Sequence, residues 1–153
     1  MTAYGNNPCS IEDAVELQDN QVAIGSNLIS IWNVKSEKCE FTLLDTTWIK
    51  CLIALPNNKL ASGSYNDTIQ IWNLNSKCCE FTFTEGKKCI QILRILPDLR
   101  LVSTSEDKIK IWNTQTGKCE LNLVGHTSKI THLKVLQNGK LISSSEDELI
   151  IWK

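Results

Sequence analysis

Residues Lys140–Trp152 read K-L-I-S-S-S-E-D-E-L-I-I-W: a short apolar run, a Ser/Asp turn, and a second apolar run ending in Ile-Trp. The same phrase stands earlier at Arg100–Trp112, at Lys59–Trp72 and, more worn, at Gln21–Trp32. Its closing tryptophans are Trp32, Trp72, Trp112 and Trp152, one every 40 residues. A fixed period of that size makes the chain a stack of equal units, each burying its apolar surface against its neighbours.

Working outward from the phrase, every unit has the same four parts. An apolar run precedes it at Ile11–Leu17, Ile49–Leu55, Ile90–Leu96 and Ile130–Leu136. Two of these runs meet Pro (Pro56, Pro97) and the last meets Asn138-Gly139, so each ends in a turn. Within the phrase, V-A-I-G-S, L-A-S-G-S, L-V-S-T-S and L-I-S-S-S alternate small residues, which lets neighbouring layers approach closely. I-S-I-W, I-Q-I-W, I-K-I-W and L-I-I-W follow a polar turn with strand-like alternation. After another turn, C-E-F-T-L, C-E-F-T-F and C-E-L-N-L supply a fourth strand. The expected unit is a sheet of four short antiparallel strands, apolar on both faces, and radial stacking of such sheets gives a β-propeller. The units span approximately 9–44, 48–84, 88–124 and 128–153 of one domain, 1–153.

Bulk properties narrow the function classes. A net charge of −1 offers no electrostatic footprint for nucleic acid or an anionic membrane, and neither is expected as a partner. No apolar run reaches the roughly 18 residues of a spanning helix, and M-T-A-Y-G-N-N-P has no signal-peptide pattern. Seven cysteines without that pattern lead us to expect free thiols in the cytoplasm.

The phrases Ser62–Asn73 (S-G-S-Y-N-D-T-I-Q-I-W-N) and Ser143–Trp152 resemble the signature of the WD-repeat family, as does Gly125-His126 upstream of the second. Lys38-Cys39 and Lys118-Cys119 also fit its pattern. The resemblance implies a hydrogen-bonded tetrad of His, Ser/Thr, Asp and Trp in each blade, complete here only as His126, Ser143, Asp147 and Trp152. The third unit keeps Ser103, Asp107 and Trp112, with Glu85-Gly86 in place of Gly-His. The second keeps Ser62 and Trp72, with Asn66 at the aspartate position and Asp45-Thr46-Thr47 where Gly-His belongs. In the first little remains beyond Trp32, and its Ser26-Asn27 turn is two residues shorter than that of the second.

Family rings usually close with seven or eight blades, while this chain carries four units and stops after the third strand of the last. By alignment Met1–Tyr4 falls at the fourth-strand position, a candidate closing strand. We expect two chains to join head to tail as an eight-bladed homodimer, since closed two-fold symmetry leaves no open edge. The alternatives are a segment of a longer propeller and a four-bladed ring.

Several residues invite sharper readings. Cys39, Cys79 and Cys119 recur in phase but lie in different blades, and Cys78-Cys79 point to opposite faces; no metal or cofactor is expected. His126, Ser143 and Asp147 imitate a hydrolase triad, yet the tetrad explains them together with Trp152. The pairs Glu106-Asp107 and Glu146-Asp147 imitate glycosidase carboxylates, yet sit in equivalent turns. His132 is expected to pack within its strand. The resemblance further implies that residues just before the structural aspartate, and just before each inner strand, form a rim used for recognition. These are Tyr65, Glu106 and Glu146, with Trp48, Cys89 and Lys129. The expected function is a non-enzymatic protein–protein interaction scaffold that binds a peptide or protein on this rim. Trp48 and Tyr65 would supply apolar area, and Glu106 and Glu146 would favour a basic partner. The alternatives are a purely architectural half-propeller and a propeller-framed hydrolase.

Overall fold

The computed structural model describes residues 10–44, 47–84, 86 and 88–152. The closing strand expected at Met1–Tyr4 lies outside the described residues, as do Asp45, Thr46 and Glu85. All regular structure among the described residues is β-strand, in four sheets whose strands neighbour one another in chain order. The first sheet is β1 (Asp13–Glu16), β2 (Gln21–Gly25), β3 (Ile29–Asn33) and β4 (Lys38–Leu43). The second is β5 (Ile49–Leu55), β6 (Lys59–Ser64), β7 (Thr68–Asn73) and β8 (Cys78–Thr84). The third is β9 (Ile92–Ile95), β10 (Leu101–Ser105), β11 (Lys108–Trp112) and β12 (Cys119–Leu123). The fourth has three strands among the described residues: β13 (His132–Val135), β14 (Leu141–Ser144) and β15 (Leu149–Trp152). Every pairing is antiparallel.

The apolar runs predicted as inner strands are longer than the strands observed in three of four cases, and in the third and fourth sheets the opening residue of the run is given to stacking. Ile49, Ile90 and Ile130 turn their backbone N–H groups away from their own sheets. Ile49 N donates to Ser26 O at 2.7 Å, Ile90 N to Ser64 O at 3.1 Å and Ile130 N to Glu106 O at 2.8 Å, each time reaching the preceding sheet. The same three side chains are buried there. One main-chain bond and one isoleucine thus dock every sheet onto the one before it.

Three apolar clusters follow, one between each consecutive pair of sheets. Ile29, Ile31 and Leu43 of the first sheet meet Ile49, Leu52, Leu60 and Trp72 of the second. Ile69, Ile71 and Phe83 of the second meet Ile90, Leu93, Leu101 and Trp112 of the third. Ile109 and Ile111 of the third meet Ile130, Leu133 and Leu141 of the fourth, with Trp152 partly buried alongside. Each fully buried Ile or Leu is worth about 1.5–3 kcal/mol relative to exposure, so the stack rests on these clusters.

The outer hairpins carry a repeated clasp. Asn33 Oδ1 accepts from the backbone N–H groups of Lys35 and Ser36, while its Nδ2 donates to Glu40 Oε1 at 2.9 Å. Asn73 does the same with Asn75, Ser76 and Glu80, and Asn113 with Gln115, Thr116 and Glu120. Each such turn ends on a residue with positive φ (Glu37, Lys77 or Gly117), and the strand pairing shifts by one residue at the adjoining Trp. A side-chain turn at Asn and a carboxylate across the hairpin thereby set the register of the outermost strand.

Close stacking explains the small residues of the second strands. A Cβ added at Gly63 would stand 2.5 Å from Ile90 Cγ2 and 2.7 Å from Cys51 Sγ; one at Gly25 would stand 2.7 Å from Ile49 Cγ2. Gly63→Ala should therefore destabilise the protein by about 1–3 kcal/mol through overpacking. Adding Ile90→Ala, which removes the Cγ2 methyl, should make the double variant more stable than the sum of the two changes, because the two groups share one space. Urea unfolding of the four proteins checks this, and strict additivity would contradict the contact.

Candidate partner-binding rim

Inside each sheet the closing Trp is tethered by a serine hydroxyl. Trp72 Nε1 donates to Ser62 Oγ at 3.0 Å, Trp112 Nε1 to Ser103 Oγ at 2.8 Å, and Trp152 Nε1 to Ser143 Oγ at 2.8 Å. In the first sheet Ile24 occupies the serine position, and Trp32 Nε1 donates instead to Ser30 Oγ, two residues back on its own strand, at 3.0 Å. His126 is buried with Nε2 2.6 Å from Ser143 Oγ and its ring edge-on to Trp152.

The aspartate expected in that tetrad does not join it. Asp147 is exposed, and Glu148 Oε1 accepts from Thr127 N and stands 3.5 Å from His126 Nδ1 without a hydrogen bond to it. The bond from Ser145 N to Glu148 O closes a tight turn with Asp147 at its solvent side. In the second sheet Asn66 is likewise exposed, accepting from Thr68 N and Thr68 Oγ1 within its own turn. The buried carboxylate there is Asp67, whose Oδ2 accepts from Gly86 N at 2.6 Å in the loop leading to the third sheet.

Around the junction of the first two sheets, two of the predicted rim residues come together. Tyr65 N donates to Trp48 O at 2.9 Å, and both side chains stay about half exposed, at 46% and 49%. With Glu12, Thr47 and Asn66 they line an open recess of about 540 Å³. Glu12 Oε2 accepts from Lys50 Nζ at 3.0 Å and from Tyr65 Oη at 3.2 Å, and the Lys50 ammonium stands 5.5 Å from the Tyr65 ring centroid. The hydrogen bond from Lys50 and its positive charge hold the Glu12 carboxyl below the usual carboxylate range. The bond to Glu12 in turn raises Lys50 above the usual lysine value.

The other predicted rim residues fall into two groups. Cys89 is half-buried; burial pushes its thiol pKa up, with Lys50 and Lys129 acting to lower it and Glu106 and Glu12 to raise it. Those four charged groups and Cys89 therefore share one electrostatic neighbourhood, with Lys129 exposed and Glu106 at the positive-φ tip of its turn. Glu146 is exposed on the turn between β14 and β15 of the fourth sheet and does not line the recess. His132, expected to pack within its strand, is exposed on β13 with Nδ1 3.0 Å from Thr131 Oγ1. Glu12 and Lys50 were missed, although they follow Ile11 and Ile49 at the same phase of consecutive units and carry opposite charges.

Residues 37–73 and 117–153 each match a family model described as WD domain, G-beta repeat. The chain carries WD repeats. Each matched segment runs from the outermost strand of one sheet through the third strand of the next, so both matched repeats straddle two sheets. No curated protein matches the chain. Among solved structures it is similar to the WD40 β-propeller domain of Doa1, with a TM-score of 0.81 at 19% identity over 93% of this chain. The chain spans 50% of that solved chain, and at such identity the likeness speaks for the fold alone. Propellers of WD repeats are generally non-enzymatic scaffolds that bind other proteins, and one fold carries many partners.

Two measurements check these contacts. Ser62→Ala leaves the buried Trp72 indole N–H without its acceptor and should cost about 1–3 kcal/mol; Ser30→Ala, beside the partly buried Trp32, should cost less. Denaturant midpoints that rank the other way would contradict the tether. For the recess, the depressed Glu12 pKa makes its contribution present above the unfolded carboxylate value and lost as pH falls through the folded one. Lys50, raised, loses its contribution only as pH rises through its folded value. Trp48 fluorescence should therefore stay flat from about pH 5 to pH 9 and change on further acidification or at strongly alkaline pH, and Glu12→Gln should abolish the acid transition.

Proposed function

We propose that this chain is a non-enzymatic, cytoplasmic scaffold that captures a peptide or protein on the propeller rim, at the recess between its first two sheets. The observation that carries the reading is the pairing of Trp48 and Tyr65, large aromatic side chains left half exposed and held at fixed spacing by a main-chain bond. Exposed aromatics over an open recess are the usual anchors of protein recognition. Glu12 is engaged by Lys50, whereas Glu106 and Glu146 add negative charge along the rim, which suits a partner pairing an apolar anchor with basic residues. Lys129 supplies an opposite charge beside Glu106 and orients that partner. The cytoplasmic placement is supported by the free thiols of Cys39, Cys51, Cys78, Cys79, Cys89 and Cys119. The ring to which this rim belongs is completed head to tail by a second copy, giving eight blades.

Peptides selected for binding from a displayed random library test the rim. Trp48→Ala should weaken the selected peptides at least about 30-fold, the size expected of an interface anchor, with an unchanged circular dichroism spectrum. Glu106→Lys should weaken the basic ones selectively. Selected peptides that bind Trp48→Ala as tightly as the parent would overturn the reading.

A further inference from the structure

The three junctions inside the chain share one plan, and the two outward faces of the stack carry its two unmatched halves. The earlier sheet of every junction offers a pair of aliphatic residues on its third strand: Ile29 and Ile31, Ile69 and Ile71, or Ile109 and Ile111, none more than 6% exposed. The fourth sheet carries the same pair as Leu149 and Ile151, at 64% and 53% exposure. The later sheet of each junction inserts the isoleucine that opens its unit, and Ile49, Ile90 and Ile130 are at most 1% exposed. In the first sheet that residue is Ile11, at 65%. Leu74, just past the closing Trp72, is 4% exposed in the second sheet, and its counterpart Val34 is 58% exposed in the first.

We infer that the Ile11 and Val34 face of one chain docks on the Leu149 and Ile151 face of a second copy, in the same register as the three junctions within the chain. The inference deepens the two-chain closure proposed for the ring and rests on it. The argument for a second copy is continuity: one molecule presents both halves of an interface it already forms three times over. A two-fold pair uses each half twice and leaves neither exposed. An isologous pairing of like faces would set Leu149 and Ile151 against themselves and reproduce none of the observed contacts.

The register follows from the equivalences. Each opening isoleucine donates its N–H to the turn after the second strand of the preceding sheet, so Ile11 N–H is assigned to a carbonyl of the Ser145–Glu146 turn of the second copy. Its side chain then lies over Ser144, which holds the position of Gly63, where an added Cβ would come 3.0 Å from Ile90 Cβ. At Gly25 the corresponding separation from Ile49 Cβ is 3.2 Å. These spacings approach the roughly 3.5–4.5 Å between the Cβ atoms of a disulfide.

Light scattering on a sizing column and a cysteine cross-link test the two levels separately. The native chain should run at twice its 17.2 kDa mass. The variant with both Ile11→Cys and Ser144→Cys should form, on mild oxidation, a chain-to-chain linkage that peptide mapping places between positions 11 and 144. Either substitution alone should give none at that place. A dimeric native mass without this linkage would overturn the docking register while leaving closure standing. A monomeric native mass, a linkage within one chain, or a mass that climbs with concentration would overturn the inference and closure together, with the rim recess judged by its own peptide test. As a second handle, Ile151→Asp should halve the mass while retaining the strand signal in circular dichroism; a variant that stays dimeric counts against the assigned face.

Discussion

A backbone N–H and an isoleucine side chain, both leaving their own sheet for the one before, are what the rest of this structure depends on. A four-stranded sheet of this size is apolar on both sides and has no interior of its own. Ile49, Ile90 and Ile130 supply the interior by entering the neighbouring sheet, at each step with a main-chain bond of 2.7–3.1 Å beside them. The hydrogen bond fixes where the isoleucine enters, and the isoleucine keeps water from that bond. The small residues on the second strands, Gly25 and Gly63 most tightly, exist to admit it.

The rim is a by-product of the same arrangement. Trp48 immediately precedes the docking residue Ile49, and Tyr65 immediately follows Ser64, whose carbonyl receives the next docking bond. Side chains beside a docking point are raised to the surface at the seam between sheets, where residues from two units meet. Glu12 of the first unit reaches Lys50 and Tyr65 of the second across that seam. Backbone geometry set by the core thus holds the aromatic pair, while side chains decide its chemistry.

Much of this was legible in the residues. The tryptophan phase located the strands and their order, because a period imposes the same environment on each copy, and the family resemblance implied the serine tethers of Trp72, Trp112 and Trp152. Where the structure departs, a local length or reach had overridden the period. Asp147 is carried to the solvent side of the short turn before β15, and the Glu148 carboxylate comes only within 3.5 Å of His126 Nδ1. Ser30 serves Trp32 because residues two apart on a strand share a face, a substitute that alignment with Ser62 could not reveal. The buried Asp67 sits one position past the place that alignment assigns to Asn66. Glu12 and Lys50 escaped notice because each is an ordinary surface charge alone; only their common phase in successive units marks them as partners.

The straddling of two sheets by each matched WD repeat bears on how such a chain comes to be ordered in time. A repeat emerging during synthesis begins with the strand that finishes the sheet already made, and only then lays down its own. Each sheet therefore meets a prepared surface, and contacts join near neighbours along the chain, the condition for growth by successive addition. Contacts of that kind let order spread from sheet to sheet wherever it begins, as it does along a templated polymer.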